Sequence, residues 1–147
     1  MTVPPVEETQ SRPTRWQRLV LTLVAAGFST IFGIALYLKP DARGFGTHQQ
    51  LGLPPCEFKT LTGLHCPHCG MTTSFSNVVR GRFDDAWNAN PLGPLLAAMW
   101  AFCIPWCLLT ALSGRWLGTQ QPFQWFVFGS IGYLALALIV WVLRVLI

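Results

Sequence analysis

Charged side chains are scarce in this sequence of 147 residues. Only 11% of the residues are Asp, Glu, Lys or Arg, whereas 52% are hydrophobic. Soluble domains carry roughly a quarter of their residues as charged side chains, so a water-soluble fold is the weaker interpretation. The apolar residues are also gathered into long blocks and do not recur at amphipathic spacing, and we therefore expect lipid to cover them.

Charge is absent altogether from three of these blocks, residues 19–38, 92–112 and 123–143. At about 1.5 Å per helical residue, a block of this length crosses the hydrocarbon layer of roughly 30 Å. Because lipid offers no partner to a backbone amide, each block is predicted to be an α-helix. The sequence therefore predicts an all-α membrane protein with three transmembrane helices, as one membrane domain over residues 19–147.

The lack of ionisable residues inside the spans also excludes functions. Such residues mark proton relays, voltage sensors and ion paths, so a pump or an ion-coupled transporter is not expected. A hydrolytic triad built on Ser74 is unsupported as well, because no G-x-S-x-G elbow surrounds it.

The segment before the first span, residues 1–18, is predicted to be a disordered tail, because it begins with a stretch rich in Pro, Thr and Glu. The apolar run that follows is longer than the core of a signal peptide, about 7–15 residues, and no small-residue cleavage site comes after it. We interpret this run as an uncleaved anchor.

The basic residues leave the membrane orientation open. Six lie on the side of the segment between the first two spans and four on the other side, which weakly favours a cytoplasmic location for that segment. Three of the four, Arg12, Arg15 and Arg18, cluster just before the first span and favour the opposite orientation.

The segment between the first two spans, residues 39–91, is too long for a bare connector. We call it the central loop. It contains many apolar side chains, among them Phe45, Phe75 and Trp87, and we expect an ordered cap that packs against itself or lies at the membrane surface.

Two short helices are predicted within the central loop. The first runs from Met71 to Arg80, with Thr72 or Thr73 as its cap and Gly81 as its stop. The second runs from Phe83 to Trp87, with Asp84 and Asp85 in its first turn.

Three of the five cysteines lie in the central loop, as Cys56 and the pair Cys66 and Cys69. Two thiolates separated by two residues can hold one metal ion when the backbone forms a tight knuckle. Pro67 restricts that turn, and Gly70 can adopt a positive φ just after it. Cys56 would supply a third sulfur, so the spacing predicts a metal site, with zinc as the expected ion.

All three histidines also lie in the central loop. His65 adjoins Cys66 and His68 lies between the paired cysteines, so strain counts against both as ligands. His48 is left as the predicted fourth ligand, with an ordinary exposed polar residue as the alternative.

The same cysteines allow other chemistries. A disulfide between Cys56 and either of the pair would staple the loop in an oxidising compartment. The tetrad Cys66-Pro67-His68-Cys69 has the C-x-x-C form of thiol–disulfide oxidoreductases and resembles that of the periplasmic oxidant DsbA, although the chain has no room for the strands of a thioredoxin fold. Unpaired thiols are a further alternative.

The two other cysteines, Cys103 and Cys107, are interpreted as small hydrophobic residues of the second span.

A longer pattern resembles a family of small bacterial membrane proteins, the domain of unknown function 2752. The pattern consists of Pro55-Cys56, then T-G-L-H-C-P-H-C-G-M-T over residues 62–72, then Arg80-Gly81, and Asn90-Pro91 at the entry to the next span. Members commonly have an arginine where this chain has Thr73. The resemblance implies a multi-pass protein of the bacterial inner membrane in which the three cysteines form a unit, and it implies no activity.

Together these features predict a non-enzymatic integral membrane protein whose central loop is stapled by Cys56, Cys66 and Cys69 and acts as an interaction surface. The expected partners are the lipid bilayer and another membrane protein, not nucleic acid. One alternative is a membrane thiol–disulfide oxidoreductase that uses Cys66 and Cys69, and another is an accessory subunit of a membrane complex.

Overall fold

The computed structural model describes residues 12–119 and 121–146, and within these residues all regular secondary structure is helical. The elements in chain order are α1 (Arg15–Tyr37), a 3-10 helix (Thr47–Leu51), α2 (Glu57–Thr62), α3 (Met71–Val78), α4 (Phe83–Ala89), α5 (Leu92–Ser113) and α6 (Pro122–Leu146). Three of them, α1, α5 and α6, are long and apolar enough to cross a membrane. The predicted all-α class with three spans is confirmed.

The first span starts earlier than the uncharged block suggested. Thr14 and Gln17 form a capping box, in which the Thr14 hydroxyl accepts from the Gln17 amide at 3.2 Å and the Gln17 side chain accepts from the Thr14 amide at 2.8 Å. This cap satisfies amides that would otherwise lack partners, so the helix begins at Arg15. Residues 15–18 of the predicted tail are therefore helical, and residues 1–11 lie outside the described part of the chain.

The two helices α1 and α5 pack against each other as an antiparallel pair. At one end the Arg18 guanidinium donates to the Ala111 carbonyl at 2.5 Å. In the middle of the pair the rings of Phe28 and Trp100 stack with centroids 4.5 Å apart, and Phe75 of α3 packs against the same indole at 5.3 Å. Aromatic rings in these arrangements bury large apolar areas, which explains why this tryptophan lies away from the ends of its span.

The third long helix, α6, is packed more loosely. Ala137 is the one residue of α6 in the buried class. Its contacts with the central loop include Tyr133, near the middle of the helix, and Trp141 near its C-terminal end, whose indole donates to the His65 carbonyl at 2.6 Å. Lipid is therefore the natural cover for most of its apolar surface.

The central loop forms an ordered cap at the end of the bundle where α1 ends and α5 begins. Within it, α3 packs against both α1 and α5 and inserts Phe75 beside Ala35, Leu96 and Ala97. The predicted Thr cap of this helix was wrong, because Gly70 occupies the N-cap position with φ 85°. Thr73 is buried and shares a 2.8 Å hydrogen bond with the Thr47 hydroxyl of the 3-10 helix.

The two short helices that were predicted in the loop are present with shifted ends. The first starts at Met71 as expected but ends at Val78, and the second runs on from Phe83 to Ala89. The 3-10 helix and α2 were not predicted, because segments this short show no measurable periodicity.

Candidate metal centre

The three cysteines of the central loop converge. Cys56 occupies the N-cap position of α2, and Cys66 and Cys69 lie in the turn that leads into α3. Their three Sγ atoms all lie within 4.8 Å of one another. Cys69 is buried, whereas Cys56 and Cys66 are half-buried. The three thiols are thus close enough to hold one metal ion.

The turn between Cys66 and Cys69 is a tight knuckle. The Cys69 amide donates to the Cys66 carbonyl at 3.0 Å, and the Met71 amide donates to the His68 carbonyl at 3.1 Å. Gly70 completes the turn with a positive φ, and a Cβ atom there would collide with the Ala89 carbonyl oxygen. Only glycine fits this position without displacing backbone, as the spacing of the motif suggested.

Asn90, which is fully buried, fastens this turn to the start of α5. Its Nδ2 group donates to the Cys69 carbonyl at 3.0 Å and to the Pro67 carbonyl at 3.3 Å, while its Oδ1 atom accepts from the Leu92 amide at 3.0 Å. One side chain thereby satisfies backbone groups in the knuckle and at the helix N-terminus. From the sequence, the Asn90-Pro91 pair was recognised only as part of the family pattern at the entry to the next span, and this role was not predicted.

A second anchor ties α3 to the end of α1. The Ser76 hydroxyl lies 2.9 Å from the Ala35 carbonyl oxygen and 2.7 Å from that of Leu38. The Arg80 guanidinium donates to the carbonyls of Ala35, Leu36 and Leu38 at 2.7–3.0 Å. The last carbonyls of a helix have no partner within that helix, so these two side chains act as its C-terminal cap.

The thiols at the site differ in acidity. The backbone amide of Lys59, in α2, lowers the pKa of the Cys56 thiol. Burial, together with the two neighbouring thiols, raises the pKa of Cys66 to about 12. A raised pKa disfavours the thiolate of Cys66, which is the form that reacts and that binds metal.

A half-open cleft of about 520 Å³ lies beside the three sulfurs. All three cysteines line it, together with Phe45, His48, Lys59 and Met71 among others. The Lys59 ammonium is held 3.2 Å above the centre of the Phe45 ring and 3.1 Å from His65 Nε2. The cleft therefore has a positive charge on its wall and the sulfur cluster at its edge.

The structure brings the predicted ligand His48 to the wall of this cleft but not into the cluster of sulfurs. Its Nε2 atom lies 3.2 Å from the Pro54 carbonyl oxygen. Within the described part of the chain, no His, Asp or Glu joins the cysteines in a group of close donor atoms. The assignment of His48 as the fourth ligand stays a prediction.

The other two histidines have separate environments. Burial, together with the nearby charges of Lys59 and Arg144, lowers the pKa of His65, whose carbonyl accepts from Trp141. The His68 ring lies beside Tyr133 of α6, with centroids 6.1 Å apart. The remaining cysteines, Cys103 and Cys107, lie in α5 and do not join the cluster.

The fold and the site define a small α-helical membrane protein with a cysteine cluster in its central loop. The model of a family described as "Protein of unknown function (DUF2752)" matches residues 56–104, so the chain resembles that family from the first site cysteine to the middle of α5. Comparison with curated proteins and with solved structures produced no match.

Proposed function

We propose that the protein is a non-enzymatic membrane module whose central loop binds zinc through Cys56, Cys66 and Cys69 and presents an interaction surface to another membrane protein. The observation that carries this proposal is the convergence of three sulfur atoms within 4.8 Å from two separate segments. Thiolates are soft ligands, and zinc is the ion that they typically hold in a tetrahedral structural site.

The surroundings of the cysteines support a staple. Zinc would join the start of α2 to the knuckle before α3. In the described residues, no backbone–backbone hydrogen bond links these two segments. The knuckle itself is already fixed by Asn90. A preformed backbone reduces the ordering that metal binding must supply, and bound metal would in turn stabilise the fold.

The surface of the loop supports an interaction role. Six large apolar side chains in it are between 46% and 78% exposed, namely Leu51, Leu53, Leu61, Leu64, Phe83 and Trp87. Exposed apolar groups on an ordered cap are typical of contact sites for a protein or for the membrane surface. Following the resemblance to bacterial membrane proteins, we assign the module to the inner membrane of a bacterium.

Metal analysis tests the zinc site directly. The full chain, purified in detergent without chelators, is expected to contain zinc in proportion to protein. Cys66→Ala should lose the metal, whereas the control Cys107→Ala, which removes a buried cysteine of α5, should retain it. Wild-type protein that carries no zinc, even after zinc is added, would contradict the proposal.

The interaction surface needs its own measurement. Photo-crosslinkers placed at Leu61 and Trp87 in cells are expected to capture the same membrane protein, and a crosslinker at Phe126, on the exposed surface of α6, serves as the control. Capture of lipid alone at both loop positions would refute a protein partner and would leave the loop as a membrane-surface element.

A thiol–disulfide oxidoreductase is the second candidate, favoured by the C-x-x-C turn that leads into α3. Such enzymes depend on a thiol of lowered pKa, whereas burial raises the pKa of Cys66, the first cysteine of the pair. Stoichiometric oxidation of a dithiol substrate with loss of activity in Cys66→Ser would establish this function in place of the zinc staple.

A further inference from the structure

We propose that the metal held by Cys56, Cys66 and Cys69 keeps its fourth coordination position open to the cleft, and that this position takes the thiolate of a small thiol-bearing molecule. The inference rests on the proposed metal site and deepens it, since it converts a closed staple into a site that binds a ligand. Four observations carry it.

The first observation is the number of donors. Zinc with thiolate ligands is tetrahedral, and sites with only three protein ligands use the fourth position for an exogenous group. In the described residues the cluster consists of three sulfurs, with no further His, Cys, Asp or Glu donor among them. The coordination sphere offered by the chain is therefore one ligand short.

The second observation concerns the histidine on the cleft wall. A carbonyl oxygen can only accept, so the contact of His48 Nε2 with the Pro54 carbonyl at 3.2 Å requires the proton to be on Nε2. This hydrogen bond occupies Nε2, one of the two ring nitrogens that could otherwise bind metal. His48 would have to break this bond, or turn Nδ1 toward the sulfurs, before it could act as the fourth ligand.

The third observation is the available space. The cleft of about 520 Å³ is lined by all three cysteines, so a molecule within it can reach the metal. Cavities of roughly 300–1,000 Å³ accommodate small organic ligands. The apolar side chains of Phe45 and Met71 in its wall suit the carbon skeleton of such a ligand.

The fourth observation is charge. Three thiolates already exceed the charge of a divalent cation, and a fourth would add to the excess. Lys59 lines the cleft and no carboxylate does, so its ammonium can offset an anionic ligand. A soft donor set also favours a soft fourth ligand, which selects a thiolate over a carboxylate.

Cobalt substitution tests the inference. The full chain is prepared in detergent with a phosphine reductant, so that no thiol is present, and is loaded with Co²⁺. Titration with 2-mercaptoethanol is expected to raise the thiolate-to-cobalt charge-transfer absorption by about one third, the ratio of four thiolates to three. The control variant His48→Ala should show the same rise, because its side chain does not occupy the fourth position.

Other results would overturn the inference in distinguishable ways. Cobalt that binds but gives a spectrum indifferent to 2-mercaptoethanol means that the chain closes its own coordination sphere, and a spectrum altered by His48→Ala would identify His48 as the ligand. The zinc staple would survive both results. Failure of the wild-type chain to bind Co²⁺ or zinc at all would overturn the proposed function as well.

A second variant separates ligand binding from metal binding. Lys59→Gln is expected to weaken the apparent affinity for 2-mercaptoethanol several-fold while cobalt content stays unchanged, and Lys39→Gln, which does not line the cleft, should have no effect on either. Equal affinity in all three proteins would remove Lys59 from the site and overturn the charge argument for an anionic ligand.

Discussion

The two ends of the helical bundle differ in how their backbone is held. At the end that bears the central loop, Ser76, Arg80 and Asn90 bond the backbone of segments far away in the chain. At the opposite end, within the described residues, the Arg18 side chain bonds the carbonyl of Ala111 far away in the chain, and the Trp106 indole bonds the carbonyl of Leu117, which is only 11 residues away.

The difference shows what each end requires. A helix that simply continues into lipid satisfies its own backbone and needs little else. A loop that must hold three cysteines at fixed positions needs its carbonyls and amides bonded by side chains, because short helices supply few bonds of their own. The polar side chains of the protein are therefore concentrated where the candidate site lies.

The largest expected effect comes from removing the space inside the knuckle. In Gly70→Ala the new methyl group would meet the backbone carbonyls of Ala89 and Gly44 at a φ of 85°, so we expect a loss of about 4 kcal/mol in the free energy of unfolding. Gly63→Ala is the control, with a similar φ of 75° but open space around it, and should cost about 1 kcal/mol. Tryptophan fluorescence during denaturation by sodium dodecyl sulfate measures both. Equal losses would mean that the knuckle is not tightly enclosed.

The next effect is expected from Asn90→Ala. The substitution leaves the Pro67 and Cys69 carbonyls and the Leu92 amide without their partner, and buried groups of this kind cost about 3 kcal/mol together. Asn88, which is exposed, is the control, and its alanine variant should change stability by less than about 0.5 kcal/mol. The same denaturation assay applies, and a change at Asn90 no larger than the control would remove this residue from the support of the site.

A comparison of two arginines gives a smaller effect. Arg80→Ala removes the charged bonds to the end of α1 and is expected to cost about 2 kcal/mol. Arg82 makes one ion pair, at 3.8 Å with Asp85, in which both side chains are at least half exposed. Its alanine variant should lie within about 0.5 kcal/mol of wild type. Similar losses in the two variants would show that the bonds to α1 add nothing beyond surface charge.

The parts of this fold that the sequence predicted are those governed by local composition. Uncharged blocks predict the spans, because length and hydropathy alone decide whether a helix can cross lipid. The C-x-x-C spacing and Gly70 predict the knuckle, because the turn is formed by consecutive residues. Cys56 was predicted as the third sulfur, and the structure brings it to the other two.

The support of the site could not be predicted in this way. Ser76 reaches Ala35, and Asn90 reaches Cys69, across long stretches of chain whose relative positions depend on how the helices pack. Thr72 or Thr73 was predicted to cap α3 because threonine suits that position, yet the Thr73 hydroxyl faces Thr47 of a segment with no sequence signal of its own. Local propensity yields to tertiary contacts at such positions.

The smallest expected effect concerns a surface contact of the central loop, the ion pair between Arg43 and Asp41. Arg43, through hydrogen bonds to the Asp41 carboxylate at 2.7 and 3.0 Å, lowers the pKa of that group to about 2. Because the pKa is lower in the folded state than the ordinary value of 3.8, the pair stabilises the fold above that value, and this contribution is lost as the pH falls toward 2. Carbon-13 NMR of the Asp41 carboxyl should give a higher midpoint in Arg43→Gln than in the wild type, but one still below 3.8, because the backbone amide of residue 43 keeps its bond to the carboxylate. The unfolding free energy at neutral pH should change little, since Arg43 is mostly exposed to solvent. A large loss of stability in Arg43→Gln would show that surface contacts of the loop matter as much as the buried anchors at Asn90 and Ser76.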